Sequence, residues 1–131
     1  MENKTTGNVL DLLLRPEMPD VRKQLPEKRV RVTRLSELAG QAVIFTLRGL
    51  PYDKIRKAQK MEDDRALSLV LDGCVDPDFK NTRLLDDSAG IVTPFDAIKA
   101  NLTSGEIDEI AVEVQILSGY LSRTLDEVKN A

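Results

Sequence analysis

Carboxylates are the side chains with the best chance of doing chemistry in this chain, and they occur in adjacent or alternating pairs: Asp63-Asp64, Asp86-Asp87 and Asp76-Pro77-Asp78. An Asp-x-Asp start can open an oxygen-ligand loop for calcium. Such a loop needs a further Asp or Asn at the next odd position and a Gly after it. Here those positions are Lys80 and Asn81, so the pattern fails and a turn that stops a helix is the simpler reading. Paired carboxylates can also divide acid and base roles if a cleft drives their pKa values apart. Nothing in the surrounding sequence points to such a cleft, and solvated helix starts or loops account for the pairs. Cys74 is the one thiol. It falls at helical spacing with Leu67, Val70 and Leu71, which makes it a small core residue rather than a nucleophile.

The absence of histidine weighs on every catalytic reading. It removes the commonest general base, the usual partner of Ser and Cys nucleophiles, and the commonest metal ligand. The glycines form no phosphate-cradling array and no phosphate-loop Lys follows them. The reading is therefore no catalytic residue, no metal ligand and no cofactor. A small carboxylate-based enzyme stays open as an alternative that requires a carboxyl of raised pKa in a cleft.

A length of 131 residues, 41% hydrophobic and 31% charged, fits a single globular domain with a richly charged surface. A single Cys allows no intramolecular disulfide and is compatible with a reducing compartment. The apolar run Val9 to Leu14 is too short for a membrane span and lacks a signal-peptide layout, so no membrane partner and a cytoplasmic location are expected. A net charge of −3 with 4% aromatic residues argues against a nucleic-acid partner. One local exception is the basic cluster Arg22, Lys23, Lys28, Arg29, Arg31 and Arg34, relieved in sequence by Glu27. It reads as a solvated strand face that also blunts edge pairing. A nucleic-acid-binding adaptor using this cluster is the alternative.

Period and capping signals place the elements. Asn8 to Leu14 reads as a short amphipathic helix, and Pro16, Pro19 and Pro26 break the next stretch into an extended linker. Arg29 to Leu35 and Ala42 to Leu47 read as strands of a hairpin, with Ser36 to Gln41 as the turn. Helices are expected from Pro51 to about Lys60 and from Asp63-Asp64 to the Asp76-Pro77-Asp78 stop. Phe79 to Val92 reads as a loop pinned by Leu84 and Leu85. Thr93-Pro94 with Asp96 is a strong helix start, running to about Leu102. Thr103 to Glu106 has capping-box spacing for the longest helix, to about Leu121, and Thr124 to Glu127 repeats it for a terminal helix. The stripe of that longest helix is Ile107, Ile110, Ala111, Val114, Leu117 and Leu121, with Val112 and Ile116 off it. Gly119 is either a bend or a point of close helix contact.

The fold class expected is α+β, an N-terminal β-hairpin packed on a mostly helical body. Residues 1–28 form an arm with a short helix and residues 29–131 a single domain. The order and spacing of several short motifs add a resemblance. They are Arg34-Leu35-Ser36-Glu37-Leu38 with Gly40, Asp76-Pro77-Asp78-Phe79-Lys80, Thr93-Pro94-x-Asp96, Leu102 with Gly105-Glu106-Ile107, Leu117-Ser118-Gly119-Tyr120, and Glu127-Val128-Lys129-Asn130. In these the chain resembles the XkdN-like tail assembly chaperones of phages and prophages of Gram-positive bacteria. The resemblance implies a non-enzymatic protein of the host cytoplasm that binds the tape measure protein, keeps it soluble and helps recruit tail tube protein subunits, and that is absent from the mature virion. It supplies no catalytic residues. Self-association and client binding need exposed apolar surface, and Leu10, Leu13 and Leu14 with Val112 and Ile116 are the candidate partner-binding residues.

Overall fold

A computed structural model describes residues 8–121 and 123–128. Among them lie six α-helices and one three-stranded sheet, which makes the chain α+β. Helix α1 (Val9–Leu13) is capped by Asn8, whose side chain accepts from the Leu10 N–H. Turns rather than an extended linker come after it, closed by Met18 N–H to Arg15 and by Lys23 and Gln24 N–H to Asp20.

Strand β1 (Glu27–Arg31) pairs antiparallel with β2 (Ile44–Arg48), with Val30 opposite Phe45 and Lys28 opposite Leu47. The two strands are joined by a helix, α2 (Thr33–Ala39), not by the tight turn expected over Ser36 to Gln41. Leu, Glu and Ala favour helix here. Val32 at the N-cap makes no side-chain cap, so the start carries no readable signal, and Gly40 ends the helix in the left-handed region. The buried Ser36 hydroxyl accepts the Val43 N–H at 2.8 Å and ties α2 to the start of β2.

Helix α3 (Tyr52–Gln59) starts after Pro51, and α4 (Arg65–Gly73) after Asp64, which takes a left-handed φ of 65° and makes no side-chain cap. The chain then enters a third strand, β3 (Cys74–Asp76), antiparallel to β2 on the side away from β1. Helical spacing places Cys74 on the preceding helix. It is buried as expected, but on a strand, opposite Leu47. Phe79, in a stretch read as loop, is a core residue that meets Phe45 edge to face with ring centroids 6.0 Å apart. Leu84 and Leu85 are half-buried as the loop reading required.

Helices α5 (Pro94–Asn101) and α6 (Ser104–Leu117) start where expected, α6 at its expected capping box, and the Thr93 cap with Asp96 proves to be a capping box as well, each with both reciprocal hydrogen bonds. Helix α6 ends at Leu117, short of the expected Leu121. Gly119 lies at φ 96°, Tyr120 N–H donates to the Gln115 carbonyl and Gly119 N–H to that of Ile116. These two bonds are the Schellman closure of a helix, so Gly119 is a bend. Leu121 is accordingly exposed, and residues 123–128 carry no helix despite their capping-box spacing. Lys129-Asn130 lies outside the described residues.

The core lies between the sheet face carrying Phe45 and Leu47, helices α3 to α5, and the Ile107, Ile110, Ala111, Val114 stripe of α6. At its centre Gly73 of α4 faces Val114 of α6, and a Cβ at Gly73 would run into the Val114 side chain. Gly49 likewise lies against the Leu117 carbonyl, where a Cβ has no room. Gly73→Ala should therefore cost ~1–3 kcal/mol by overpacking. A urea titration should show a lowered midpoint with unchanged slope, whereas Gly105→Ala, where a Cβ meets open space, should lie near wild type.

Candidate functional site

The basic cluster is less basic in space than in sequence. Arg22 donates to Asp20 through Nε at 3.0 Å and Nη2 at 2.7 Å. Lys28 Nζ lies 2.7 Å from Glu113 Oε1, on α6. Arg34, on α2, makes a two-pronged contact with Glu106, Nη2 to Oε1 at 2.9 Å and Nε to Oε2 at 3.1 Å, and Nη2 also donates to the Asn101 carbonyl at 2.8 Å. Glu27 is therefore not the one source of relief: Asp20, Glu106 and Glu113 each take a member of the cluster. The last two come from α6, far away in sequence. Arg29 and Arg31 share the outer sheet face, opposite Thr46 and Ile44.

Where β1 and α2 approach α6 they leave a cleft of about 490 Å³ with Val30, Leu47 and Ile110 in its walls. Its charged lining mixes Lys28, Arg31 and Arg34 with Glu37, Glu106, Glu109 and Glu113. Such alternation gives no single-sign field to steer a polyanion. Glu106 has three jobs at once. It takes the Arg34 fork, accepts the Thr103 N–H at 2.8 Å as the return arm of the capping box, and sits near the positive end of α6. The Arg34 hydrogen bonds first, then those from Thr103, hold its carboxyl below the ordinary glutamate value.

The other shifted carboxylates move the same way. Asp20 is drawn down to about 2 by the Arg22 side chain and N–H. Asp96 is lowered by the Val92 and Thr93 N–H groups and Asp86 by the Ser88 hydroxyl. Each downward shift marks a carboxylate held ionised by donors. Burial pushes the Cys74 thiol up to about 12, which keeps it protonated and inert. Asp76 ends strand β3 opposite Thr46, not in the expected turn, and Asp78 lies in the turn beyond it, where it accepts the Lys80 N–H at 3.0 Å. Among the described residues no three acidic or Cys side chains gather as a metal-holding group.

The candidate partner-binding residues fall into two separate surfaces. Leu10, Leu13 and Leu14 of the α1 segment, with Val9, are 62 to 72% exposed. Val112 and Ile116, one turn apart on α6, are 41% and 42% exposed and flanked by Asp108, Glu109 and Glu113. The sequence reading missed a third surface. A groove of about 410 Å³ runs between the base of the arm, α3 and the end of α6, lined by Val21, Leu25, Leu50, Tyr52, Ile55 and Leu117 among others. The exposure of Val21 and Tyr52 shows only in the fold, because neither falls on a periodic apolar stripe. Among the described residues, no helix is long and apolar enough to cross a membrane.

The fold is thus a small α+β domain whose outer faces offer apolar surface on the arm, on α6 and in the groove between arm and body. Residues 59–131, more than half of the chain, match the family model of the phage XkdN-like tail assembly chaperone proteins, and the chain belongs to that family. A crystal structure of the protein yqbn is similar at a TM-score of 0.55 and 19% identity, covering 74% of this chain and 89% of that one. At that identity the likeness shows a shared fold. No curated protein matches the chain.

The charge arrangement sets an acid dependence. A carboxylate held below its ordinary value in the fold binds fewer protons folded than unfolded. Its stabilisation is complete above about pH 4.5, the ordinary value for Glu106, and is lost as the pH falls through the folded value. Stability followed by urea unfolding should therefore decline below about pH 4.5, and Glu106→Gln, which keeps the cap but loses the charge, should flatten that decline. Thr103→Ala should cost ~1 kcal/mol at neutral pH by removing the α6 cap.

Proposed function

We propose that this protein is a tail assembly chaperone that acts in the host cytoplasm by binding the tape measure protein. It keeps that partner soluble and helps recruit tail tube subunits, without a catalytic step. Membership of the XkdN-like family carries the reading, and the matched residues 59–131 include all of α6 with its Val112 and Ile116 face. A chaperone of this type needs surface that an aggregation-prone client prefers to water. Two aliphatic side chains at i and i+4 on a rigid helix can take the apolar stripe of an amphipathic client helix. Two of the acids that border the pair, Asp108 and Glu109, favour a client whose stripe is edged by Lys or Arg.

Co-expression with the tape measure protein from the same gene cluster tests this. The wild-type chain should raise the soluble fraction of that protein and co-purify with it. Val112→Asp with Ile116→Asp should lose both effects while the thermal transition stays near wild type, since both residues lie outside the core. A wild-type chain that neither solubilises nor co-purifies with the tape measure protein rejects the reading.

A further inference from the structure

Strand β1 is an edge of the sheet, because the strand order is β1, β2, β3. Its backbone phase follows from the two ends of its ladder with β2. There Gly49 N–H donates to the Pro26 carbonyl and Val32 N–H to that of Val43, each at 3.0 Å. In an antiparallel ladder, residues that exchange hydrogen bonds alternate with residues that turn both groups away. Lys28 and Val30 therefore face β2, while Glu27, Arg29 and Arg31 direct their N–H and C=O groups to the open edge. Among the described residues, no backbone group of another element meets them.

The edge borders the cleft between β1, α2 and α6. Helix α6 packs against β2, so the inner face of β1, with half-buried Val30, stands over the cleft beside Leu47 and Ile110. Lys28 and Arg34 are paired there with Glu113 and Glu106. Among the described residues Glu37 and Glu109, which also line the cleft, have no ion pair. The outer face carries the opposite sign. Glu27 lies across from Arg48, whereas Arg29 and Arg31 face Thr46 and Ile44 and have no acid opposite them.

We propose that β1 accepts an extended segment of a protein partner as an added antiparallel strand, one with acidic residues at alternate positions and aliphatic or Lys residues between them. Main-chain hydrogen bonds to Glu27, Arg29 and Arg31 would hold it, and the two side-chain faces would select it. Its acids lie beside Arg29 and Arg31, as opposite charges across a strand pair do. Its other face points to the cleft, where an aliphatic side chain meets Val30 and Ile110 and a Lys meets Glu109. The five residues of β1 offer an edge of about 17 Å, closed by Pro26 at one end and by α2 at the other. A second copy pairing through the same edge would set arginine against arginine, and like charges directly opposite are unfavourable. A nucleic acid lacks the matching row of amide donors and would meet Glu37 and Glu109. The arginines that blunt pairing of the edge with itself thus select an acidic strand. The site shares no residue with Val112 and Ile116, so the proposal does not rest on the tape-measure reading.

Fluorescence anisotropy of the full chain with the labelled, end-capped peptide Glu-Val-Glu-Lys-Glu-Val-Glu is the test. Binding should saturate, and the charge-swapped peptide Lys-Val-Lys-Glu-Lys-Val-Lys should bind at least about tenfold more weakly. N-methylation of the Glu nitrogens, which face β1 in this register, should weaken binding at least about tenfold, whereas N-methylation of the Val and Lys nitrogens, which face away, should cost less. Arg29→Glu with Arg31→Glu should reverse the preference between the two peptides and keep the wild-type urea midpoint, since both side chains are exposed. Val112→Asp with Ile116→Asp should leave peptide binding unchanged, so failure of this proposal and failure of the chaperone reading are seen separately. Absence of binding at millimolar peptide overturns the proposal, as does equal binding of the two peptides or equal loss from the two methylation patterns. Displacement of the peptide by a thymidine oligonucleotide would make nucleic acid the occupant, and concentration-dependent protection of the Arg29 and Arg31 amides without peptide would make it a second copy. Either result also overturns it.

Discussion

The contact between Gly73 and Val114 fixes how closely α4 and α6 can approach, and most of the architecture depends on that distance. Val70 and Val114 are both fully shielded from solvent beside it. Burial of each such side chain contributes ~1.5–3 kcal/mol, a large share of a net stability of ~5–15 kcal/mol. Because α4 runs without a loop into β3, the position of α4 on α6 also sets where the third strand meets Leu47 and Thr46 of β2. The far end of α6 makes a second fixed point. Ser118 donates to the Val114 carbonyl at 2.7 Å and accepts the Leu50 N–H at 2.8 Å, while Gly49 lets the backbone pass the Leu117 carbonyl. The exit from β2 and the start of α3 are thereby tied to the last turn of α6.

Elements with self-contained signals were legible in the sequence. Thr93 with Asp96 and Thr103 with Glu106 announce helix starts because a capping box is a contact among four consecutive residues. The Ala42 to Leu47 strand is legible from its alternation, and Val43, Phe45 and Leu47 do face the core side. The elements that stayed hidden depend on partners far away. Helix α2 has no capping side chain at Val32 and gains its hold through Ser36 on Val43. Strand β3 is too short to show a period and exists because β2 offers it an edge. Phe79 has no periodic neighbours, and only the ring of Phe45 marks it as core. The extension of α6 to Leu121 and the terminal helix at Thr124 failed for a different reason. Gly119 closes the helix in the left-handed region, and a capping box without a packed face cannot hold a helix.

The same division explains the candidate chemistry. The motifs that carried the family resemblance hold polar residues whose work is structural. Asp96 and Glu106 close helix caps, Arg34 clamps α2 to the α5–α6 corner, Ser118 locks the end of α6, and Gly119 turns the chain. Capping residues are visible at short range, so their type could be read from the sequence. The Arg34–Glu106 fork and the Lys28–Glu113 pair could not, because their partners are separated by 72 and 85 positions. These pairs are partly exposed, and surface ion pairs contribute only ~0–1 kcal/mol each. Their larger effect is on the field: Lys28 and Arg34 are met by the acids of α6, and the cleft between them holds both signs.

With polar groups committed to caps and pairs, apolar surface is what remains available for partners. It is divided between segments with different standing. Val112 and Ile116 stand on the longest helix, which is anchored at both ends and buried along its opposite side, so that face is rigid when a partner arrives and little ordering entropy is lost. The α1 leucines stand on a short helix at the end of a turn-rich arm, outside residues 59–131 of the family match. None of its residues is buried, so the core does not depend on it. A rigid face suits a protein partner, because little ordering is required of the surface that receives it. The two surfaces stand on separate elements and share no side chains, so a change at one leaves the other intact.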